Sequence, residues 1–552
     1  MSIMRSAKLG PIVGHTTDRS CRLWIRAECP SETSAGLAED SRTLGILTVM
    51  EIGDTMLPPE QRPIYYFRLH REYDRTGTFT LGVDSSLEGG APSPPLTPDT
   101  RYRVRLGTLT LDDPLSNRQV VEDEELAKRL PPREANFWAT EFDALPAEES
   151  EAVFTTFAAS GDLVNHFSFI IGSCRYPGLP WQRKLSDRIF QPMQQQATAV
   201  EDTHRPRFVL FVGDQIYADQ FSLRVPIGVA DTYGEFHNRY HEAFGSVHMR
   251  RLLRTVPTYM ILDDHEIEDN WCQDRIRESR KRLLFNLAIC SYLSFQWSHG
   301  PRNYGPQLYY SFDYGGYPFF ALDTRTQRYL NEENTLADND LLGRPSLDPS
   351  EPGQVDRLLT WLREQQRAHG NAPKFIVSSV VFVPNPIWAR ADATDARKVE
   401  TDSWQAFPVT RRTILQGIID NRIQNVVFLS GDIHCANVAA MSFSGPAAEI
   451  KAFSITSSSL YWPFSLADGE PAQYVHDSTD PRTLDPFVVS DDPAVVMNYR
   501  AWNFVQENNF SRIEVNRAHS EIRVQVFGTD GEPAKDWAFG QPREAVLALM
   551  PW

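Results

Sequence analysis

The sequence predicts an α/β protein preceded by a small β-sandwich. Three observations carry that expectation. Up to about Phe157, short β-type runs alternate with turn signals; from about His166, apolar runs of strand length alternate with helical patterns; and four of those runs end in unusually polar groups. The boundaries that follow are residues 1–160 for the sandwich, 161–530 for the α/β unit and 531–552 for a C-terminal tail or short helix.

The elements can be justified in order. CRLWIRA, PIYYFRL, TFTLGV and RYRVRLGTLT are β-type runs at the spacing of a sandwich. VEDEELAKRLPP reads as a charged surface loop or short exposed helix. HFSFIIGS, RFVLFVGD, PTYMILDDH, YPFFALDT, PKFIVSSVVFV and NVVFLSGDIH are rich in Val, Ile and Phe, and read as strands of a sheet buried on both faces. VDRLLTWLREQQRAHG puts Val355, Leu358, Leu359 and Leu362 at i, i+3, i+4 and i+7, and Gly370 stops the helix. FSRIEVNRAHSEIRVQVFGTDG reads as a hairpin turning at RAHS, and QPREAVLALMPW as a short helix acting as a lid or as an ordinary tail.

Composition removes several function classes. The chain has 552 residues, 41% of them hydrophobic, enough for more than one core. A net charge of −17 argues against a protein built to bind nucleic acid or anionic lipid, which needs basic patches to neutralise phosphates. The chain has no apolar run of about 18 residues, the length a membrane span needs. The opening MSIMRSAKLGPIVGH has neither an apolar signal region nor a twin arginine. Six cysteines in so long a chain do not make a disulfide framework. A reducing, cytoplasmic setting is therefore expected, with no obligate protein partner.

Ligands of α/β sheets gather at the C-terminal ends of strands, where loops converge on a rigid frame. The polar strand ends here are GSCR at Gly172 to Arg175, GDQIYAD at Gly213 to Asp219, DDHE at Asp263 to Glu266 and GDIH at Gly431 to His434. Carboxylates brought together repel and raise their own pKa values unless a cation sits among them. A metal centre is the expectation. Carboxylates suit calcium, magnesium or manganese, whereas thiolate, phenolate and imidazole favour iron or zinc, so a mixed pair follows. Two such ions can clamp a phosphoryl group and activate water.

The GD after a strand, the histidine between acids after the next strand and the late GDIH resemble the calcineurin-like metallophosphoesterases. With SC in the first motif, GDQIYAD in the second and DDHE followed by NW in the third, the chain resembles the PhoD-like alkaline phosphatase D family over roughly residues 166–460. LTPDTRYRVRLG resembles a fibronectin type III strand and its approach, which suits that family's N-terminal domain. The resemblance implies a four-layer sandwich of sheets flanked by helices, and hydrolysis of phosphoric mono- or diesters by a metal-bound hydroxide. It implies that Asp214 bridges two ions, that Cys174 and Tyr217 are soft ligands of Fe(III), and that Asp264 binds a second ion, calcium in the family. Asp432 and His434 would then serve the two ions, with zinc, manganese or magnesium as substitutes. His265 would face the leaving group, and Asn270 and Arg175 would touch the phosphate.

The chain departs from the wider superfamily in lacking an opening D-x-H, and VVFVPNP offers no histidine. Relatives are commonly exported through the twin-arginine route, which leaves a periplasmic or extracellular location open. Taken singly, each residue has a plainer reading. GD is often a turn capping a helix, Cys174 a small buried hydrophobe and Tyr217 a packing residue. Asp263 would orient its neighbour, and Glu266 and Glu268 would be solvated or supporting. His237 and His241 read as polar-face residues, and Arg325 and Arg328 as phosphate ligands or members of an internal salt bridge. The rival functions are a non-catalytic metal-containing protein that engages a glycan or protein through the sandwich, and a redox enzyme using the iron.

Overall fold

Among the described residues the β-type runs pair into four sheets, and the chain divides into two compact units. The computed structural model describes residues 3–29, 42–84, 93–111, 128, 130–131, 135–178, 182–199, 204–220, 229–330, 336–348, 350–387, 402–464, 469–538, 540 and 544–552. Most of VEDEELAKRLPP lies outside the described residues.

The first unit gathers Met1–Ser160, Tyr240–Tyr259 and Cys290–Pro301. The last two segments were expected in the α/β unit. The unit's strands are β1 (Ile3–Arg5), β2 (Leu9–Thr16), β3 (Ser20–Arg26), β4 (Thr43–Ile52), β5 (Thr55–Met56), β6 (Ile64–Arg68), β7 (Thr76–Gly82), β8 (Arg101–Thr110) and β9 (Glu151–Thr155). One sheet runs β1-β8-β4-β5, with β6 on β4 and β9 on β8; the other runs β2-β3-β7. Val13, Leu23 and Ile25 of the small sheet share one apolar cluster with Leu47, Val104 and Leu106 of the large one, so two antiparallel sheets enclose a single core.

The second unit is the α/β part. Its strands are β10 (His166–Gly172), β11 (Pro206–Phe211), β12 (Thr258–Met260, of which Met260 belongs to this unit), β13 (Tyr310–Tyr314), β14 (Tyr317–Ala321), β15 (Lys374–Val377), β16 (Val426–Ser430), β17 (Ala436–Phe443), β18 (Ala452–Thr456), β19 (Phe487–Asp491), β20 (Ala494–Val505), β21 (Asn509–Asn516), β22 (Glu521–Gly528) and β23 (Glu544–Ala548). They form a six-stranded sheet, β12-β11-β10-β21-β22-β23, and an eight-stranded one, β13-β14-β15-β16-β18-β17-β20-β19. Within them β10 and β11 are parallel, as are β14, β15, β16 and β18.

Side chains alternate across a strand, and that alternation builds the layers. Phe169 of β10 meets Phe319 of β14 and Phe375 of β15 with ring centroids 5.4 and 5.6 Å apart, and Phe208 of β11 meets Phe319 at 5.4 Å. Those rings join the sheets face to face. On the outer face of the eight-stranded sheet, Phe320 and Ile376 pack with Leu358 and Leu362 of α2 (Gln354–His369) and Ile414 and Ile418 of α3 (Pro408–Asp420). On the outer face of the six-stranded sheet, Phe211 of β11 meets Phe190 of α1 (Phe190–Thr198), with centroids 6.1 Å apart. The order is helix, sheet, sheet, helix. The C-terminal stretch expected as a tail or short helix instead contributes β23, which pairs antiparallel with β22. No helix among the described residues is long and apolar enough to cross a membrane.

Candidate metal centre

The motif loops leave the C-terminal ends of β10, β11, β12 and β16 under backbone strain. Cys174 (φ 56°), Asp214 (56°), Asn270 (54°), Asp432 (70°) and His434 (52°) all occupy the left-handed region, although none is glycine. Such conformations persist only where the surroundings over-determine them. Here backbone bonds do so: the Cys174 N–H donates to Gly213 O (3.2 Å), Arg175 N–H to Asp214 O (2.9 Å) and Tyr461 N–H to Cys174 O (3.2 Å). Glu266, expected to be solvated or supporting, is buried and accepts the backbone N–H groups of Asp214 (3.1 Å), Gln215 (2.7 Å) and Asp263 (2.9 Å). Gly213, at φ 111°, sits where a Cβ would lie 2.5 Å from Asp263 Cβ, so the second and third motifs meet through a missing side chain.

The side chains converge. Asp214 Oδ2 accepts the Tyr217 hydroxyl at 3.3 Å, while its Oδ1 is buried with no hydrogen-bond partner among the described residues. Asp264 accepts the His265 N–H (3.0 Å) and the Asn270 N–H (2.5 Å). Ligand atoms of Asp214, Asp264 and His265 all lie within 4.8 Å of one another. The Cys174 thiol lies 3.6 Å from Asp432 O. His434 stacks on Trp462 with centroids 3.9 Å apart, and its buried Nδ1 also has no hydrogen-bond partner among the described residues. The Asn270 side chain donates to Asp269 (3.3 Å), and the Arg175 guanidinium lies over the Phe190 ring at 5.8 Å.

Burial governs the electrostatics. It pushes the Cys174 thiol and the Tyr217 phenol well above their usual range, with neighbouring carboxylates adding to the rise. It likewise raises Asp214 and Asp432 well above the carboxylate range, and the nearby acids reinforce it. Asp263 is raised to about 6 by burial, offset in part by Arg325. Burial and the charge of His265 lower His434 to about 3. Burial opposes charge on His265 too, but Asp264, Asp214 and Asp219 outweigh it and raise its pKa. Orphaned oxygen and nitrogen donors, crowded acids, a thiol and a phenol form a set that fits cations.

Four residues of the site carry partnerships that no local pattern in the sequence marks. Asp219, the last residue of GDQIYAD, places both its oxygens 2.9 Å from His265 Nδ1. Asp402 had no local signal at all. It takes Arg325 bidentately, Nη1 to Oδ1 at 2.7 Å and Nη2 to Oδ2 at 2.6 Å, and also pairs with Arg328. Arg325 also reaches Asp263 Oδ1 (2.5 Å) and Asp264 Oδ1 (3.4 Å), so the arginine after β14 is an internal ion-pair hub. Trp462 completes an aromatic wall with Tyr176, Tyr217 and the half-exposed Phe464, in which Tyr176 meets the other three at 5.3 to 5.5 Å.

The model of the PhoD-like phosphatase family matches residues 183–524. The chain belongs to this family. The match takes in Asp214, Tyr217, Asp264, His265, Asn270, Asp432 and His434, and begins after Cys174 and Arg175. Among curated proteins, alkaline phosphatase D of Bacillus subtilis (strain 168) is 26% identical over 215 residues, 37% of this chain. That match spans 36% of the relative's own length. The solved structure of PhoD shares the PhoD-like fold seen here, with a TM-score of 0.59 over 98% of this chain and 89% of its own, at 16% identity.

Proposed function

We propose that the protein hydrolyses phosphoric esters, mono- or diesters, at a metal centre held by Cys174, Asp214, Tyr217, Asp264, Asp432 and His434. The observation that carries the reading is the pair of buried donors, Asp214 Oδ1 and His434 Nδ1, left without hydrogen bonds where the strand-end loops converge. A buried polar group without a partner is costly, and bound cations would satisfy such groups. Membership of the PhoD-like phosphatase family supports the same chemistry. The soft donors Cys174 and Tyr217 suit Fe(III) and the carboxylate of Asp264 suits calcium. Bound there, such ions supply Lewis acidity toward phosphoryl oxygens and lower the pKa of water.

The chain's own residues do the rest. Asp219 fixes His265 at Nδ1, and Tyr217 stacks on the imidazole at 4.3 Å, so the ring cannot swing. Nε2 is then the atom that offers a proton to the departing alcohol oxygen. Arg325 neutralises Asp263 and Asp264 without touching substrate, while the aromatic wall excludes water from one side.

The test is elemental analysis of the purified protein beside hydrolysis of p-nitrophenyl phosphate and bis-p-nitrophenyl phosphate, before and after chelation. Iron and calcium in the protein, with turnover lost on chelation and in Asp214→Asn, are the expected results. A protein inert to both esters after metal is supplied overturns the reading.

A further inference from the structure

We propose that His166, His204 and Glu514 form a binding site for one divalent transition-metal ion, apart from the centre described above. The three side chains come from adjacent segments of the six-stranded sheet. His166 opens β10, His204 leads into β11, and Glu514 lies on β21, which flanks β10 on its other side. The register sets Ser168 opposite both Pro206 and Glu514, and His166 and His204 each stand two residues before Ser168 and Pro206, so the three residues gather at one end of the sheet. The strand-end motifs leave the opposite ends of β10 and β11, so this cluster shares no residue with them.

Glu514 Oε2 lies 3.2 Å from His204 Nδ1 and 3.9 Å from His166 Nε2, and the three ligand atoms are all within 4.8 Å of one another. Zinc holds imidazole nitrogen and carboxylate oxygen at about 2.0–2.2 Å, which sets tetrahedral ligand atoms about 3.3–3.6 Å apart. The observed spacings bracket that value. The two imidazoles stand at 87° with centroids 4.7 Å apart, so each turns a different nitrogen toward the same carboxylate oxygen.

The carboxylate is oriented for the task. Glu514 is buried, and its Oε1 faces Arg512 Nη2 at 3.3 Å, which leaves Oε2 to the imidazoles. Partners that fix a ligating carboxylate in this way raise metal affinity. His204 has 47% of its side chain exposed, which provides an entry path. Two imidazoles and one carboxylate select zinc, nickel or copper over magnesium and calcium.

The protein, carrying its resident metals, is dialysed against zinc, and zinc content is compared for wild type, His166→Gln and His204→Gln. The wild type is expected to hold about one zinc per chain more than either variant, since the strand-end centre contributes equally to all three. Turnover of p-nitrophenyl phosphate should be the same in all three. Equal zinc content overturns the proposal. A second measurement needs no substitution: zinc, but not magnesium, should protect His204 from diethyl pyrocarbonate, read by peptide mass spectrometry. Unchanged modification of His204 at saturating zinc would also sink it.

Discussion

His265 is bound at one nitrogen by Asp219 and covered by Tyr217, and the proposed reaction uses its other nitrogen as the proton donor. His265→Ala should therefore lower kcat on an alkyl phosphoester by about 10²–10⁴-fold. The loss should be much smaller on p-nitrophenyl esters, whose leaving group departs without a proton. Comparing kcat on the two esters checks this, and equal losses would refute proton donation. Asp219→Asn should lower kcat on the alkyl ester in the same direction with little change in KM. Arg325 is fully buried between Asp263 and Asp402, and removing one partner of a buried ion pair strands the other charges. Arg325→Met should cost about 3–5 kcal/mol in urea unfolding; a cost under about 1 kcal/mol would show that the hub adds little to stability. The motif residues were legible because each lies in a short run after an apolar strand. Asp402 was not, because it sits outside any strand-end motif, 77 residues from the arginine it binds.

Lys374, at the start of β15, is buried, and its ammonium donates to Gln366 Oε1 (2.7 Å), Gln424 O (3.4 Å) and Gly370 O, none of them a carboxylate. Burial lowers its pKa to about 7. In the unfolded chain a lysine titrates near ~10.4, so between those values the unfolded state binds more protons and stability rises with pH. Stability from this group is complete above the unfolded pKa and is lost as pH falls through about 7. Lys374→Met should flatten that rise in urea midpoints measured from pH 7 to 10; an unchanged slope would assign the rise elsewhere. The helix at Gln354–His369 and the hairpin of β21 and β22 were readable because periodicity and turn chemistry are local. β23 was not: EAVLA suits a helix as well as a strand, and only pairing with β22 buries Ala545 and Leu547 while leaving Glu544, Val546 and Ala548 exposed.

For the whole molecule, the proposed metal centre would tie stability to its ions. Chelation should lower Tm, and iron with calcium should restore it; ions present at about a thousand times their Kd contribute about 4 kcal/mol. A Tm indifferent to chelator would show that the centre adds nothing to folding. The sequence by itself determined that the fold is α/β, where strands end in polar loops, and which side chains could bind cations. Those features are written in windows of a few residues, where side-chain alternation and backbone chemistry act directly. The tertiary structure alone decided that residues 240–259 and 290–301 join the first unit, that Asp219 holds His265 across 46 residues, and that Arg325 pairs with Asp402. Such partnerships depend on the order in which strands pair within a sheet, and contacts between distant segments leave no periodic mark on either one.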